Sequence, residues 1–230
     1  MSAHKNARTP LGRSARRALR SLIPPVLLRA RDRRATQRQQ QWELVGSGVP
    51  FGGSGPLWSN LVRHVDVYAE WGMGQSTVLA LKTGCSVAIS VETAPEWIAK
   101  VDAAIGEDAR FRPVLVDLGP VGRWGRPLSY REQERFDTYF EAPFRQGWDP
   151  DLVLIDGRFR VACWASAMLN ARPGTLVVFD DYVGRGHYEI VAEVVRPIAV
   201  AGRQAVFCRP LVVDVERLEG LLRDFRFVMD

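Results

Sequence analysis

Nowhere in the 230 residues does an apolar run approach the ~20 residues that a membrane-spanning helix needs, so nothing in the sequence reads as crossing a bilayer that way. Cysteine is scarce as well. Cys85, Cys163 and Cys208 stand far apart, without CxxC spacing and each within an apolar segment. That pattern excludes a disulfide-stapled scaffold and reads as reduced core residues of a cytoplasmic protein. The first 40 residues lack the long apolar core and small-residue cleavage site of a secretory signal. No internal repeat or low-complexity tract interrupts the remainder, which is long enough for one domain with a full core.

Charge of one sign is missing from one end. Residues 1–40 hold ten Arg and Lys5 against the single acid Asp32, which gives +10, while the other residues carry 20 basic and 25 acidic groups, or −5. High pI is therefore a property of the arm, and the acidic body argues against nucleic acid as a partner. The segment from Leu11 to Glu43 mixes arginines with Leu19, Leu22, Ile23 and Leu28 around Pro24-Pro25. Two readings stand: a solvated, partly helical extension, or a surface helix that docks on anionic lipid or a partner through residues 1–40, which would make the protein peripheral to a membrane. The domain boundary is placed at residues 1–44 for the arm and 45–230 for the body.

The body alternates short β-branched runs with helical patterns, the signature of a doubly wound α/β fold with a mostly parallel sheet. Strands are expected at Val65 to Ala69, Ser86 to Val91, Val114 to Val116, Leu152 to Ile155 and in "TLVVFDDY", with "QAVFC" and "LVVDV" as a late antiparallel hairpin. Helices are expected at about Ser76–Lys82, at Ala94–Ile105 behind a Thr93/Glu96 capping box, from "SYRE" to Phe140, up to Asn170, and at His187–Val195. The aromatics of residues 119–149 read mostly as packing residues, with a substrate-covering lid as the second reading.

An acid falls at or near the carboxyl end of each of the first five strands: Glu70, Glu92, Asp117, Asp156, and Asp180 with Asp181. Ligands of open α/β sheets bind outside those ends, so the five positions point to one crevice. The stretch "EWGMGQST" adds a glycine loop after strand one. Gly74 is followed by Gln75-Ser76-Thr77 and not by the Lys and Ser/Thr of a P-loop. A dinucleotide fingerprint wants a third glycine where Thr77 stands, although Glu92, twenty residues after Gly72, suits a ribose. Glu70 would repel a pyrophosphate and attract an ammonium. A ligand with both an ammonium and a ribose is S-adenosylmethionine, whose carboxylate can face the following helix N-terminus.

These residues resemble motif I of the class I S-adenosylmethionine-dependent methyltransferases, on an acidic-x-Gly-x-Gly match at Glu70, Gly72 and Gly74. The resemblance spans about Leu61 to Phe207 and implies a seven-stranded Rossmann-like sheet. Cofactor contacts would come from Glu70, Gly72, Gly74, Glu92 at the ribose and Asp117 near the adenine. Methyl transfer is an in-line displacement, so the protein aligns an acceptor and helps it lose a proton, through a base or a divalent metal. Asp156, Asp180 and Asp181 are similar to the metal site of catechol-type and macrolide-sugar O-methyltransferases, which implies Mg²⁺ on these three carboxylates.

One departure stands out: where the catechol-type enzymes have a lysine, this chain has Phe159 between Arg158 and Arg160. Arginine stays protonated and cannot be a base, so Arg158 or Arg160 pairs with Asp180 or with an anionic acceptor, or the whole cluster is a metal-free salt bridge. His187 is the remaining candidate base, against a plain cap or surface role. "N/DPPY", typical of enzymes that methylate base amines, is absent, since "IDGR" stands at strand four. The expectation is a methyltransferase acting on a hydroxyl of a small-molecule or glycan acceptor, with Asp156, Arg158, Asp180 and His187 at the chemistry. The alternatives are a nicotinamide-dependent oxidoreductase and a non-catalytic α/β scaffold for the arm.

Overall fold

The computed structural model describes residues 50–230. The expected basic arm, residues 1–44, and the membrane or partner contact expected through residues 1–40 lie outside the described residues. The described elements run α1 (Pro56–Leu61), β1 (Val67–Trp71), α2 (Gln75–Thr83), β2 (Val87–Glu92), α3 (Pro95–Ile105), β3 (Phe111–Leu115), α4 (Phe136–Glu141), β4 (Leu152–Ile155), α5 (Arg160–Asn170), β5 (Leu176–Phe179), β6 (Ala199–Ala201), β7 (Gln204–Cys208) and α6 (Val215–Phe225).

The seven strands form one sheet in the order β3-β2-β1-β4-β5-β7-β6. Strands β1 to β5 pair in parallel, and β7 runs antiparallel to both β5 and β6. The central strands are buried on both faces, which is why they read as continuous apolar runs. The pleat still sorts their side chains. Tyr68, Ala88, Leu152 and Leu154 pack under α1, α2 and α3 with Trp58, Leu81 and Trp97, whereas Ala69, Trp71, Ile89 and Val153 pack against α4, α5 and α6. Each large side chain so buried contributes about 1.5–3 kcal/mol relative to exposure. Cys85 and Cys163 are core residues of these two faces, Cys208 is half-buried, and all three are free. Among the described residues no helix is long and apolar enough to cross a membrane.

Four local expectations need correction. "LVVDV" is not a strand: Leu211 and Val212 are 81% exposed, and Asp214 instead caps α6, accepting a hydrogen bond from Arg217 N at 3.0 Å. The hairpin partner of β7 is β6, joined by Gly202-Arg203, where Gly202 has φ +59 and an added Cβ would lie 2.5 Å from Ser54 O. "SYRE" opens no helix, because Ser129 Oγ accepts only from Arg131 N, two residues on, and α4 starts at Phe136. Thr93 is no capping residue either. Ala94 precedes Pro95 at the start of α3, and the Thr93 hydroxyl donates to Gly125 O at 2.7 Å. Finally, the segment around His187 is a 3₁₀ helix, Gly186–Glu193, rather than an α-helix.

Candidate cofactor and acceptor site

Strand order reverses beside β1, whose neighbours are β2 on one side and β4 on the other, so the crevice of this sheet opens above the ends of β1 and β4. The two loops there touch. Gly72 has φ +88, and a Cβ on it would lie 2.9 Å from both Cα and N of Gly157. Only glycine permits that approach. Gly74 differs: its φ of 165° suits any residue, and an added Cβ would meet nothing nearer than Trp97 at 3.9 Å. Gly72 thus serves the fold, while at Gly74 the loop leaves room for at least a Cβ.

Glu70 lies beneath this loop, fully buried. Its carboxylate accepts from Tyr68 Oη at 2.7 Å, from Ser76 Oγ and Ser90 Oγ at 2.6 Å each, and from Thr77 Oγ1. Register explains the enclosure, since Ser90 is the β2 partner of Glu70 and Ser76 and Thr77 begin α2. Burial raises its pKa, and the four hydroxyls pull it back down. The sequence reading placed Glu70 against a ligand ammonium. In the structure its oxygens are spent on the loop and the helix start, with Thr77 Oγ1 also accepting from Gly74 N at 3.0 Å. Ser76, Thr77 and Ser90 were missed by sequence reasoning. The small hydroxyl residues at the helix start were the available signal.

Glu92 ends β2 and is 6% exposed. It accepts from Thr93 N at 2.7 Å, Ala94 N at 3.1 Å and Met73 N at 3.4 Å, so it ties the end of β2 to the glycine loop. Burial pushes its pKa up to about 7 against those stabilising N–H groups. A short hairpin covers it: Val121 bridges Pro127, Trp124 takes a left-handed conformation, and a Cβ on Gly125 would lie 2.9 Å from Glu92 Oε1. Trp124 stacks on Trp97 with ring centroids 6.2 Å apart. Part of residues 119–149 therefore roofs the site, and Phe136, Tyr139 and Phe140 from the same stretch are core. Asp117 stands apart. It is largely exposed, pairs with Arg135 at 3.2 Å, accepts from Gly119 N, and borders a groove of about 400 Å³ along β3.

Asp156, Asp180 and Asp181 do converge at the ends of β4 and β5, but guanidiniums surround them. Arg160, itself buried, donates from Nε to Gly157 O, from Nη1 to Asp180 O at 2.7 Å, and from Nη2 to Asp156 Oδ1 at 3.0 Å, and lies 3.5 Å from Asp181. Arg203 binds both Asp180 and Asp181, Arg185 binds Asp181, and Gln204 Nε2 donates to Asp180 at 2.9 Å. Burial raises the pKa of Asp156 and pushes that of Asp180 up to about 7; the Asp181 charge adds to the first and the Asp156 charge to the second, while Arg160 and Arg203 pull both back down. Among the described residues no three His, Cys, Asp or Glu are grouped so as to hold a metal ion. The Mg²⁺ site expected on Asp156, Asp180 and Asp181 does not fit: arginine nitrogens stand where a cation would.

Phe159, at the position of the catechol-type lysine, is 1% exposed with φ +53 and packs on Phe136, Phe140 and Tyr139, so that position supplies no base. His187 forms no ion pair with the three aspartates. Its side chain is half exposed, and its carboxylate partner is Asp230 at 3.8 Å. Arg203, Gln204 and Asp230 were missed. Pairing "QAVFC" antiparallel to β5 sets Phe179 beside Ala205, which carries Arg203 and Gln204 to the aspartates, but that register needed the turn at Gly202 to be recognised.

No protein-family model matches the chain, and neither does any curated protein sequence. Among solved structures it is similar to a methyltransferase-like protein of Silicibacter pomeroyi, at 27% identity and TM-score 0.66 over 79% of this chain and 96% of that one. The fold is the class I methyltransferase fold. Lesser likenesses are to the N-methyltransferase NodS of Bradyrhizobium japonicum (13% identity, TM-score 0.47, 76% of this chain and 98% of that one) and an O-methyltransferase of Bacillus cereus (15%, 0.43, 88% and 78%).

Proposed function

We propose that the chain is an S-adenosylmethionine-dependent methyltransferase that acts on a hydroxyl of a small-molecule or glycan-type acceptor. The observation that carries this reading is the space over Gly74 beside the Glu92 carboxylate, at the strand-order reversal of a class I sheet. The likeness to the Silicibacter protein supports it. Glu92, held by three backbone N–H groups, offers its carboxylate to the two ribose hydroxyls, and the space over Gly74 admits the adjoining part of the ligand. Glu70 acts indirectly: it fixes the loop and the start of α2 through Thr77 and Ser76. Thr77 fills the third-glycine position of a dinucleotide site with a hydroxyl bonded on both sides, which disfavours the nicotinamide alternative.

When bound, the cofactor presents a methyl group on a sulfonium. The chain's own part is to orient the acceptor and take its proton. Asp156 is the carboxylate suited to that, because 30% of its side chain is exposed whereas Asp180 is fully enclosed. Its raised pKa makes it a stronger base than an ordinary aspartate. No metal enters this reading.

The test is calorimetry with S-adenosylhomocysteine, alongside NADH and with a Glu92→Ala protein. Heat with the first ligand only, weakened in the variant, is expected; no heat at concentrations far above a micromolar Kd would sink the reading. With an acceptor in hand, Asp156→Asn should lower kcat and a chelator should leave turnover unchanged.

A further inference from the structure

Four arginines gather around the ends of β4 and β5, and three are matched. Arg160 takes Asp156 and Asp181, Arg203 takes Asp180 and Asp181, and Arg185 takes Asp181. Arg158 is the surplus. It has no ion pair among the described residues, its Nε is buried without a hydrogen-bond partner, and only its backbone is engaged, with N donating to Tyr139 Oη at 3.2 Å and O accepting from Cys163 Sγ. Burial and the neighbouring Arg160 charge lower its pKa, yet a guanidinium keeps its proton. Asp230, whose charge also acts on Arg158, spends Oδ1 on Arg160 N and faces His187 with Oδ2.

A half-buried guanidinium whose Nε is enclosed without a partner costs the fold some stability, and an anion placed against it would relieve that cost. The position is informative too. Arg158 follows Gly157, which touches Gly72 across the crevice, and lies two residues from Asp156. It therefore stands next to the Gly72–Gly157 loop contact and within electrostatic reach of Asp156. A guanidinium's planar fork matches carboxylate and phosphoryl oxygens.

We propose that Arg158 is the anion-binding residue of this crevice, recognising a carboxylate or phosphoryl group on a molecule bound there. The proposal rests on the methyltransferase reading only for the choice of one probe. The anion has two sources, the amino-acid carboxylate of the cofactor or an acidic group on the acceptor, and the arms of the test separate them. Wild type, Arg158→Gln and Arg158→Lys are titrated with S-adenosylhomocysteine, 5′-methylthioadenosine (which lacks the carboxylate), inorganic phosphate and acetate.

If the cofactor supplies the anion, Arg158→Gln binds S-adenosylhomocysteine about 10- to 100-fold more weakly and methylthioadenosine unchanged, the range expected for a lost charge-assisted hydrogen bond. If the acceptor supplies it, phosphate or acetate binding is lost and S-adenosylhomocysteine is unaffected. Arg158→Lys recovers part of either loss. Unliganded Arg158→Gln should melt no lower than wild type, because it sheds an unpaired charge; a lower melting temperature assigns Arg158 to the fold and overturns the proposal. So does a folded variant that binds all the anions as wild type does, or a wild type that binds none of them. Failure of S-adenosylhomocysteine alone to bind wild type counts against the function, while the phosphate and acetate arms still decide Arg158.

Discussion

Two groups of strand-end carboxylates lie side by side above this sheet, and the protein compensates them in opposite ways. Glu70 and Glu92 are surrounded by neutral donors: four hydroxyls for the first, and backbone N–H groups with the Thr93 hydroxyl for the second. Asp156, Asp180 and Asp181 are met by guanidiniums. Neutral donors leave a net negative charge that can still receive hydroxyls of a ligand. Guanidiniums cancel the charge and close the cluster to a cation. Acids in a row along one sheet edge thus meet two different surroundings, neutral donors above β1 and β2 and guanidiniums above β4 and β5.

The sharpest way to break this comparison is to remove the central guanidinium. Arg160→Ala strands Asp156 together with the carbonyls of Asp156, Gly157 and Asp180, while Asp181 keeps Arg185 and Arg203. Breaking a buried pair from one side costs about 3–5 kcal/mol, to be read from the urea midpoint at constant slope. A cost under about 1 kcal/mol would mean that the aspartates do not depend on arginine, and the contrast would collapse.

Next comes pH, which acts on the neutral-donor side. Glu92 titrates near 7 when folded and near its ordinary 4.5 when unfolded. Between those values the folded state holds the extra proton, so stability is greatest below about 4.5 and falls as pH rises to about 7, by on the order of 3 kcal/mol. Glu92→Gln should remove that part of the slope. Affinity for S-adenosylhomocysteine should move the other way, rising through the same window, because the ionised carboxylate is the better acceptor for the ribose hydroxyls. Equal pH slopes in wild type and variant would show that Glu92 is not the group being titrated.

What could be read from sequence divides along the same line. The strand-end acids were visible because a strand followed by an acid is a local pattern, and β4 was placed at Leu152–Ile155 for the same reason. The glycines were visible, but their separate jobs were not: Gly72 is needed by Gly157, 85 positions away, and only the fold brings the two together. The arginine compensation was hidden for that reason too. Arg160 sits four residues from Asp156 and was in view, whereas Arg203 reaches Asp180 through the β6–β7 turn, whose partner strand had been assigned to "LVVDV". Local chemistry is legible along the chain, and the partner that neutralises it is often remote.

A smaller effect tests Glu70 itself. Glu70→Gln keeps the shape but turns an amide N–H toward hydroxyls that now point their own hydrogens inward. Reorienting or stranding one of them costs about 1–3 kcal/mol in the same urea measurement. Burial raises the pKa of Glu70, so a cost below about 0.5 kcal/mol would mean that the carboxyl is protonated in the folded protein and already donates to a hydroxyl.

The smallest expected change is at Asp117, which shares the strand-end position of the other acids but neither form of compensation. Its side chain is 72% exposed, and its partner Arg135 is 53% exposed, so their pair is screened by water. Asp117→Asn should alter stability by no more than about 0.5 kcal/mol. The informative readout is binding. If Asp117 contacts the adenine, S-adenosylhomocysteine weakens several-fold while the urea midpoint stays put. If affinity also holds, the acid at the end of β3 belongs to the groove along β3 and Arg135, and the ligand side of the comparison narrows to Glu92 and the space over Gly74.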